Sequence, residues 1–380
     1  MRSVIGVNTN MEGTGLEPLI FRSRRARAEI PRGFNSSLTY MHGYTGQLKR
    51  TLRFARCIGD RSMFRWDWVG RVRAMWLVCL LHGLGLAAAE PLAMLPRQVS
   101  ASAWYVEGVS ALGSSANQNF ISNAGFVITP KGVVVIDALG SPALAERLIQ
   151  EIARLTPLPI THVIVTHYHA DHIYGLQAFK ALGARVIAHR AAKEYLQSDA
   201  ARLRLQASRQ ELAPWVNEAT RLVDADEWID GESRLEVGGV VLDIRPVGPS
   251  HTPEDVCVYL SSEKVLFAGD LVFRNRIPYV GQADSRHWIV ALDRLLSFGA
   301  EVIVPGHGPL SREAVTDMRQ TRDYLSYLRQ TMGRAATNLE PFEEAYLATD
   351  WSAFEKLPLF RVANRMNAYN TYLLLEHAPE

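Results

Sequence analysis

One segment constrains this chain more than any other: Thr166-His167-Tyr168-His169-Ala170-Asp171-His172. It follows an apolar, β-branched run ending at Val165 and precedes a helical pattern over Gly175 to Leu182, so it reads as the loop between a strand and a helix. In such a loop, residues two apart can point the same way. His167 and His169 are therefore placed to grip one metal, while Asp171 and His172 turn toward a second. Imidazole combined with carboxylate suits zinc, and iron and manganese are also compatible. A lone histidine is more often a hydrogen-bonded core or surface residue. Four such groups together at the C-terminal end of a strand, where α/β sites collect, favour a metal.

The remaining donors recur in similar places. His251 follows Val247-Gly248-Pro249-Ser250, Asp270 follows the strand KVLFAG, and His307 follows EVIVP within Pro305-Gly306-His307-Gly308. Each sits at an expected strand exit beside Gly or Pro, where backbone can bend into a site. The three cysteines, Cys57, Cys79 and Cys257, are too scattered for a disulfide scaffold or a cysteine-rich zinc cluster. His162 within a strand, His287 at a helix start and Cys257 in a β-rich run read as structural. His189, ending a strand, is a weaker candidate for supporting the site through hydrogen bonds.

Around these motifs strands and helices alternate, which argues an α/β architecture. Asn119–Ile128 and Val133–Ile136 read as a hairpin about Pro130-Lys131-Gly132. A helix is expected over Pro142–Ala153, with Ser141 as N-cap and Pro142 in its first turn. Thr161–Val165 and Arg185–Ala188 read as strands, and Ala191–Leu212 as a polar helix. Further strands are expected at Arg234–Val237, Val240–Pro246, Val256–Leu260, Lys264–Ala268 and Glu301–Val304, with a helix at Ser285–Ser297 and a helical pattern from Ser311 onward.

HYHADH, SHTPED, AGD and PGHG, in this order over about Asn119 to Pro309, resemble the successive motifs of the metallo-β-lactamase superfamily. The resemblance implies a four-layer αβ/βα sandwich, here with a C-terminal helical extension. It assigns His167, His169 and His251 to a first metal, Asp171, His172 and His307 to a second, and Asp270 to both. The family's usual GHTPGD reads Ser250-His251-Thr252-Pro253-Glu254-Asp255, so Ser250 and Glu254 replace two glycines. The resemblance further implies a hydroxide shared by two Zn2+ that cleaves an acyl bond, with Asp171 or Asp270 passing a proton to the leaving group.

An aspartate like Asp270 is similar to the bridging residue of the family's thioesterases and lactonases, and dedicated β-lactamases lack it in that role. A thioester, lactone or related ester is therefore the expected substrate, with a lactam as the alternative. The same residues are also compatible with a persulfide dioxygenase holding one iron on His167, His251 and Asp270, and with a non-enzymatic accessory of a periplasmic oxidase. The tail from Asp350 to Glu376, with Asn117-Gln118-Asn119-Phe120, resembles secreted hydrolases of the SoxH type and those found beside periplasmic quinoprotein systems. Asn367 and Tyr369 are its candidates for a cleft wall, and Arg274, Arg276 and Tyr279 are candidates for meeting an anionic substrate.

The N-terminal residues read as processing. Residues 63–89 run from a charged stretch through the apolar Met75–Leu86 to Ala87-Ala88-Ala89, the order of a secretory signal peptide, with the mature chain expected to begin at Glu90. Residues 1–62 lack hydrophobic periodicity and carry eleven Lys/Arg against four acids. They are expected to be disordered or to precede the true start, at Met63 or Met75. With +7 in residues 1–62, +2 in residues 63–89 and +2 overall, residues 90–380 carry −7, which gives no electrostatic case for nucleic acid. The expectation is a bacterial periplasmic or secreted enzyme, in contact with membrane only during export, acting on a small molecule and associated with a periplasmic redox system. Its catalytic domain would span residues 90–310 and its helical extension residues 311–380.

Overall fold

The structure, a computed structural model, describes residues 92–377; the signal-peptide and start-site expectations lie outside them. Two sheets form the frame. The first has the order β1 (Arg97–Gln98), β2 (Ala103–Val106), β3 (Ala124–Thr129), β4 (Gly132–Ile136), β5 (Ile160–Ile164), β6 (Arg185–His189) and β7 (Glu227–Ile229). It is antiparallel through β4 and parallel from β4 to β7. The second runs β12 (Val302–His307), β11 (Val265–Phe273), β10 (Val256–Leu260), β9 (Val240–Pro246) and β8 (Ser233–Val237), with only the β11–β12 pair parallel.

The layers follow from which side chains each strand gives to which face. In β4, Val134 and Ile136 join Val127, Ile164, Val258 and Phe267 in a core between the sheets. Val133 and Val135 face the opposite way, onto helices. A strand covered on both faces reads as a continuous apolar run, as Gly132-Val133-Val134-Val135-Ile136 does. Helix α1 (Pro142–Leu155) is capped as its sequence predicts, with Ser141 Oγ accepting from Leu144 N at 3.3 Å, and it buries Leu144, Ala145, Leu148 and Ile152. Short helices α2 (Ala170–Ile173) and α3 (Leu176–Ala181) follow β5, and α4 (Ala192–Gln197) and α5 (Asp199–Glu211) follow β6. On the other side, α6 (Ser285–Leu296), α7 (Ala314–Thr337), α8 (Phe342–Ala348) and α9 (Phe360–His377) share a core with β11. The result is the expected α/β sandwich with C-terminal helices. Among the described residues no helix is long and apolar enough to cross a membrane.

The departures are local. Asn119–Asn123 is not strand, because Gln118 and Asn119 take left-handed φ of 57° and 59° and turn the chain away from the sheet. The expected helix Ala191–Leu212 is two helices. Ser198 is extended and its hydroxyl accepts from Ala201 N, so it starts a second helix. β1, β2 and β7 go unread in the sequence, since strands of two to four residues carry too little alternation.

Candidate metal centre

The seven donors named from the sequence converge at one edge of the sandwich. The β5–α2 loop carries His167 and His169, α2 carries Asp171 and His172, and the β9–β10 loop carries His251. Asp270 and His307 lie within β11 and at the end of β12, not beyond them as the motif spacing suggests, because β11 continues past two register shifts to Phe273. Two groups could hold metal ions: His167, His169, His251 and Asp270, and Asp171, His172 and His307. His251 Nε2 lies 3.0 Å from His169 Nδ1 and 3.4 Å from Asp270 Oδ2, with His167 Nε2 at 3.8 Å from the same oxygen. In the second group, His307 Nε2 is 3.3 Å from Asp171 Oδ2, and His172 Nε2 is 3.6 Å from it.

The donor atoms are aimed by partners on their far sides. His167 Nδ1–H donates to Thr166 Oγ1 at 3.1 Å, and that hydroxyl donates to Asp137 Oδ2 at 2.8 Å. His172 Nδ1–H donates to the same Asp137 oxygen at 2.9 Å. Each bond keeps a proton on Nδ1, so Nε2 is the nitrogen turned into the cluster. His307 Nδ1 lies 2.7 Å from Ile121 O and 3.2 Å from Arg276 Nη1; an arginine can only donate, so the bond to Ile121 sets this ring. Asn123 Nδ2 donates to Pro305 O and Gly308 O, both at 2.8 Å, and so braces the turn that carries His307. The His251 loop is closed by Thr252, whose N–H and hydroxyl donate to the Asp255 carboxylate at 2.7 Å each.

The donor set fits divalent cations. His167 Nε2, His172 Nε2 and Asp270 Oδ1 are buried with no well-directed hydrogen bond, the last two facing each other at 3.2 Å, at a point where an unmet polar atom is costly. Burial, with neighbouring His169 adding to it, pushes His251 down to about 3. Burial likewise holds His167 well below the usual imidazole range, so both present lone pairs. Against the burial that disfavours its charged form, His172 is raised well above that range by Asp270, Asp171 and Asp137. Burial also opposes ionisation of Asp270, but His307 and His172 outweigh it and keep that carboxylate ionised.

Asp137, Thr166 and Asn123 escape sequence reading, since each is an ordinary loop residue until the sheets meet. The one local signal is an aspartate closing an apolar strand, here at a φ of 64°. Several expectations for the surrounding residues shift. Arg274 is tied to Asp317 at 2.7 Å and Leu310 O at 2.6 Å, and Arg276 is buried against His307, so of the three candidates for an anionic substrate only Tyr279 lines the cleft. Tyr369 packs on Phe342 at 4.9 Å and leaves the cleft wall to Asn370. Asn367 sits behind the wall, its Oδ1 accepting from Val280 N at 3.0 Å and its Nδ2 donating to Pro278 O at 2.7 Å. His189 does not line the cleft. His162 stays in β5 beside Thr161, and Cys257 is buried with its thiol pushed up to about 12 by burial.

A sandwich of two mixed sheets with seven potential metal ligands at its edge is the arrangement of a hydrolase with a possible metal site. The chain belongs to the metallo-beta-lactamase superfamily, whose family model matches residues 118–307. It is similar to a linear primary-alkylsulfatase from Pseudomonas sp., 26% identical over 254 residues covering 56% of this chain and 47% of that protein. It is also similar to a metallo-beta-lactamase type 2 from Bacillus cereus, 27% identical over 202 residues covering 52% and 71%. A solved stereoselective inverting sec-alkylsulfatase from Pseudomonas sp. shares the fold at a TM-score of 0.59 and 18% identity, over 74% of this chain and 50% of that one. The chain thus spans about half the length of the alkylsulfatases it matches.

Proposed function

We propose that this chain is a secreted or periplasmic dinuclear zinc hydrolase that cleaves the acyl bond of a thioester, lactone or related ester. The observation that carries the reading is the position of Asp270. Its Oδ1 lies 3.2 Å from His172 Nε2, and its Oδ2 lies 3.3 Å from His307 Nε2 and 3.4 Å from His251 Nε2, so one carboxylate reaches both donor groups. His167, His169 and His251 would hold one cation, Asp171, His172 and His307 the other, with Asp270 shared. The convergence of the second group favours two ions over the single iron of a dioxygenase. Divalent cations bound there would supply Lewis acidity, lowering the pKa of water from about 16 to about 7 and polarising an acyl oxygen.

The chain's own residues divide the remaining work. Asp171, whose side chain is 16% exposed against 4% for Asp270, is the more open carboxylate, and with Oδ2 facing His307 and His172 its Oδ1 would take up a proton and hand it on. Tyr279 stands over the histidines, its ring 6.1 Å from that of His169 and 6.3 Å from that of His251, and limits access of bulk water to them. Export rests on the signal-peptide pattern of residues 63–89, and N-terminal sequencing of a periplasmic fraction should read Glu90 first.

The decisive experiment combines metal analysis with a hydrolysis panel on the purified chain: an S-acyl thiol, a simple lactone, a chromogenic cephalosporin and an alkyl sulfate. Two zinc ions per chain and a preference for the first two substrates are expected. The similarity to a Bacillus cereus metallo-beta-lactamase favours lactam cleavage as the second reading. A kcat/KM above roughly 10⁴ M⁻¹s⁻¹ for the cephalosporin alone would establish that instead.

A further inference from the structure

The cleft beside the donor cluster has a volume of about 660 Å³, and His169 and His251 form part of its wall. Away from these histidines its charged lining is all of one sign. Glu254 and Glu194 line it, and among the described residues no lysine or arginine does. The basic side chains nearby are engaged elsewhere: Lys193 lies over the Trp228 ring at 5.1 Å, and Arg204 pairs with Glu211 at 3.1 Å. Glu254 is the unusual member. It is 5% exposed, it stands where the family's usual motif has glycine, and no ion pair with a basic residue is formed by it among the described residues. Its Oε1 accepts from Tyr168 N at 3.1 Å, which holds the carboxyl in place, and burial raises it above the ordinary carboxylate range, so a cation in the cleft would favour its ionised form. Enclosing a carboxylate with no countercharge is costly unless a ligand supplies one.

The rest of the wall suits the same ligand. Tyr195 and Tyr279 also line the cleft, with Tyr168 behind them, buried and stacked on Trp228 at 6.3 Å. Ring faces attract ammonium groups and do so more strongly as water is excluded. A carboxylate and two tyrosine rings give a cation both a countercharge and a polarisable wall, and they disfavour a sulfate or carboxylate.

We propose that the cleft recognises acyl substrates bearing an ammonium group, with Glu254 as the specificity-determining residue, Glu194 adding a weaker attraction at the rim, and the tyrosine rings forming the walls. This rests on the acyl-hydrolase reading for the reaction but not for the binding. The scissile carbonyl would face His169 and His251 and the ammonium would face Glu254, so the preferred substrate is positively charged at one end.

The test uses the full chain and two matched thioesters, acetylthiocholine and its uncharged carbon isostere S-(3,3-dimethylbutyl) thioacetate, with choline binding followed by calorimetry. The cationic thioester should have a kcat/KM at least about tenfold higher than the isostere. Glu254→Gln should bring that ratio to within about threefold of one, and Glu194→Gln should lower it less. Choline should bind the parent chain and lose most of its affinity in Glu254→Gln, with thermal melts confirming that both variants fold. If the two thioesters are cleaved equally well and choline does not bind, the inference falls while the hydrolase reading stands. If choline binds in a Glu254-dependent way but neither thioester is cleaved, the ammonium site stands and the reaction assignment falls. A ratio unchanged in Glu254→Gln overturns the role given to that residue.

Discussion

The carboxylate of Asp137 accepts a 2.9 Å hydrogen bond from His172 Nδ1, so a residue outside the donor cluster decides which nitrogen of His172 faces into it. The same oxygen reaches His167 through Thr166, which makes Asp137 the common support of two donors in different groups. Asp137→Asn keeps the shape but can present an N–H to His172 and reverse its tautomer. Zinc affinity, measured by competition with a chromophoric chelator, should fall about 10- to 100-fold with the fold intact. Unchanged affinity would remove Asp137 from the site.

Asp270→Ala should lose most of the second zinc and at least ~100-fold in kcat/KM, because its carboxylate is shared by both donor groups. Inductively coupled plasma analysis alongside a thioester assay reads both effects. His162→Ala is the control: this ring lies on β5 against Thr161, and zinc content should stay at the parent value.

The metal-free chain should be most stable near pH 6.5, the ordinary histidine value. His251, pushed down to about 3 by burial and by His169, is neutral when folded but takes a proton when unfolded, so its contribution is lost as pH falls from about 6.5 toward 3. His172 is shifted the other way: burial opposes its charge, but Asp270 and its other carboxylate neighbours raise it. Its contribution is full below about 6.5 and is lost as pH rises through the raised value. Thermal melts of chelated protein from pH 4 to 9 should trace a bell. Zinc saturation should flatten the alkaline side, since the cation replaces the proton on His172.

Gly306 is required by proximity. A Cβ there would stand 2.0 Å from Asp270 Oδ1, and no relaxation of a flexible tip relieves it because the backbone of Gly269 and Asp270 is also within 2.8 Å. Gly306→Ala should therefore resemble Asp270→Ala in zinc stoichiometry while leaving helix content by circular dichroism intact. Retention of both zinc ions would show that the β11–β12 pair can spread to accommodate the methyl group.

The seven candidate ligands are legible in the sequence because four of them cluster in HYHADH directly after the apolar run of β5, and because His251, Asp270 and His307 stand close to Gly or Pro in or just after β9, β11 and β12. Asp137, Thr166 and Asn123 are not. Their roles exist only once β4, β5 and β12 are neighbours, and a single residue has no period to detect. The short edge strands escape for the same reason. Helical spacing misplaces Tyr369 because it gives the face of a helix but not which neighbour covers it: Phe342, 27 residues upstream in α8, takes that ring.

The tail's contribution to the cleft is most directly tested at Asn367. This side chain is fully buried and satisfies three groups at once: Val280 N, Pro278 O and the Tyr324 hydroxyl, the last at 2.9 Å. Asn370 Nδ2 adds a fourth tie, to Gly281 O at 2.8 Å, so α9 holds the loop that carries Tyr279 from two successive turns. Asn367→Leu keeps the branched shape, though it is bulkier, and leaves a buried N–H and a carbonyl unmet, at about 1–3 kcal/mol each. The chain should be destabilised by about 2 kcal/mol or more in urea, and Tyr279 should lose its fixed place over His169 and His251. Because that loop shapes the cleft without supplying a donor, KM should rise more than kcat falls, and zinc content should not change. A fall in zinc content would mean instead that α9 supports the donor cluster itself. An unaltered KM in a destabilised variant would reduce the tail to packing.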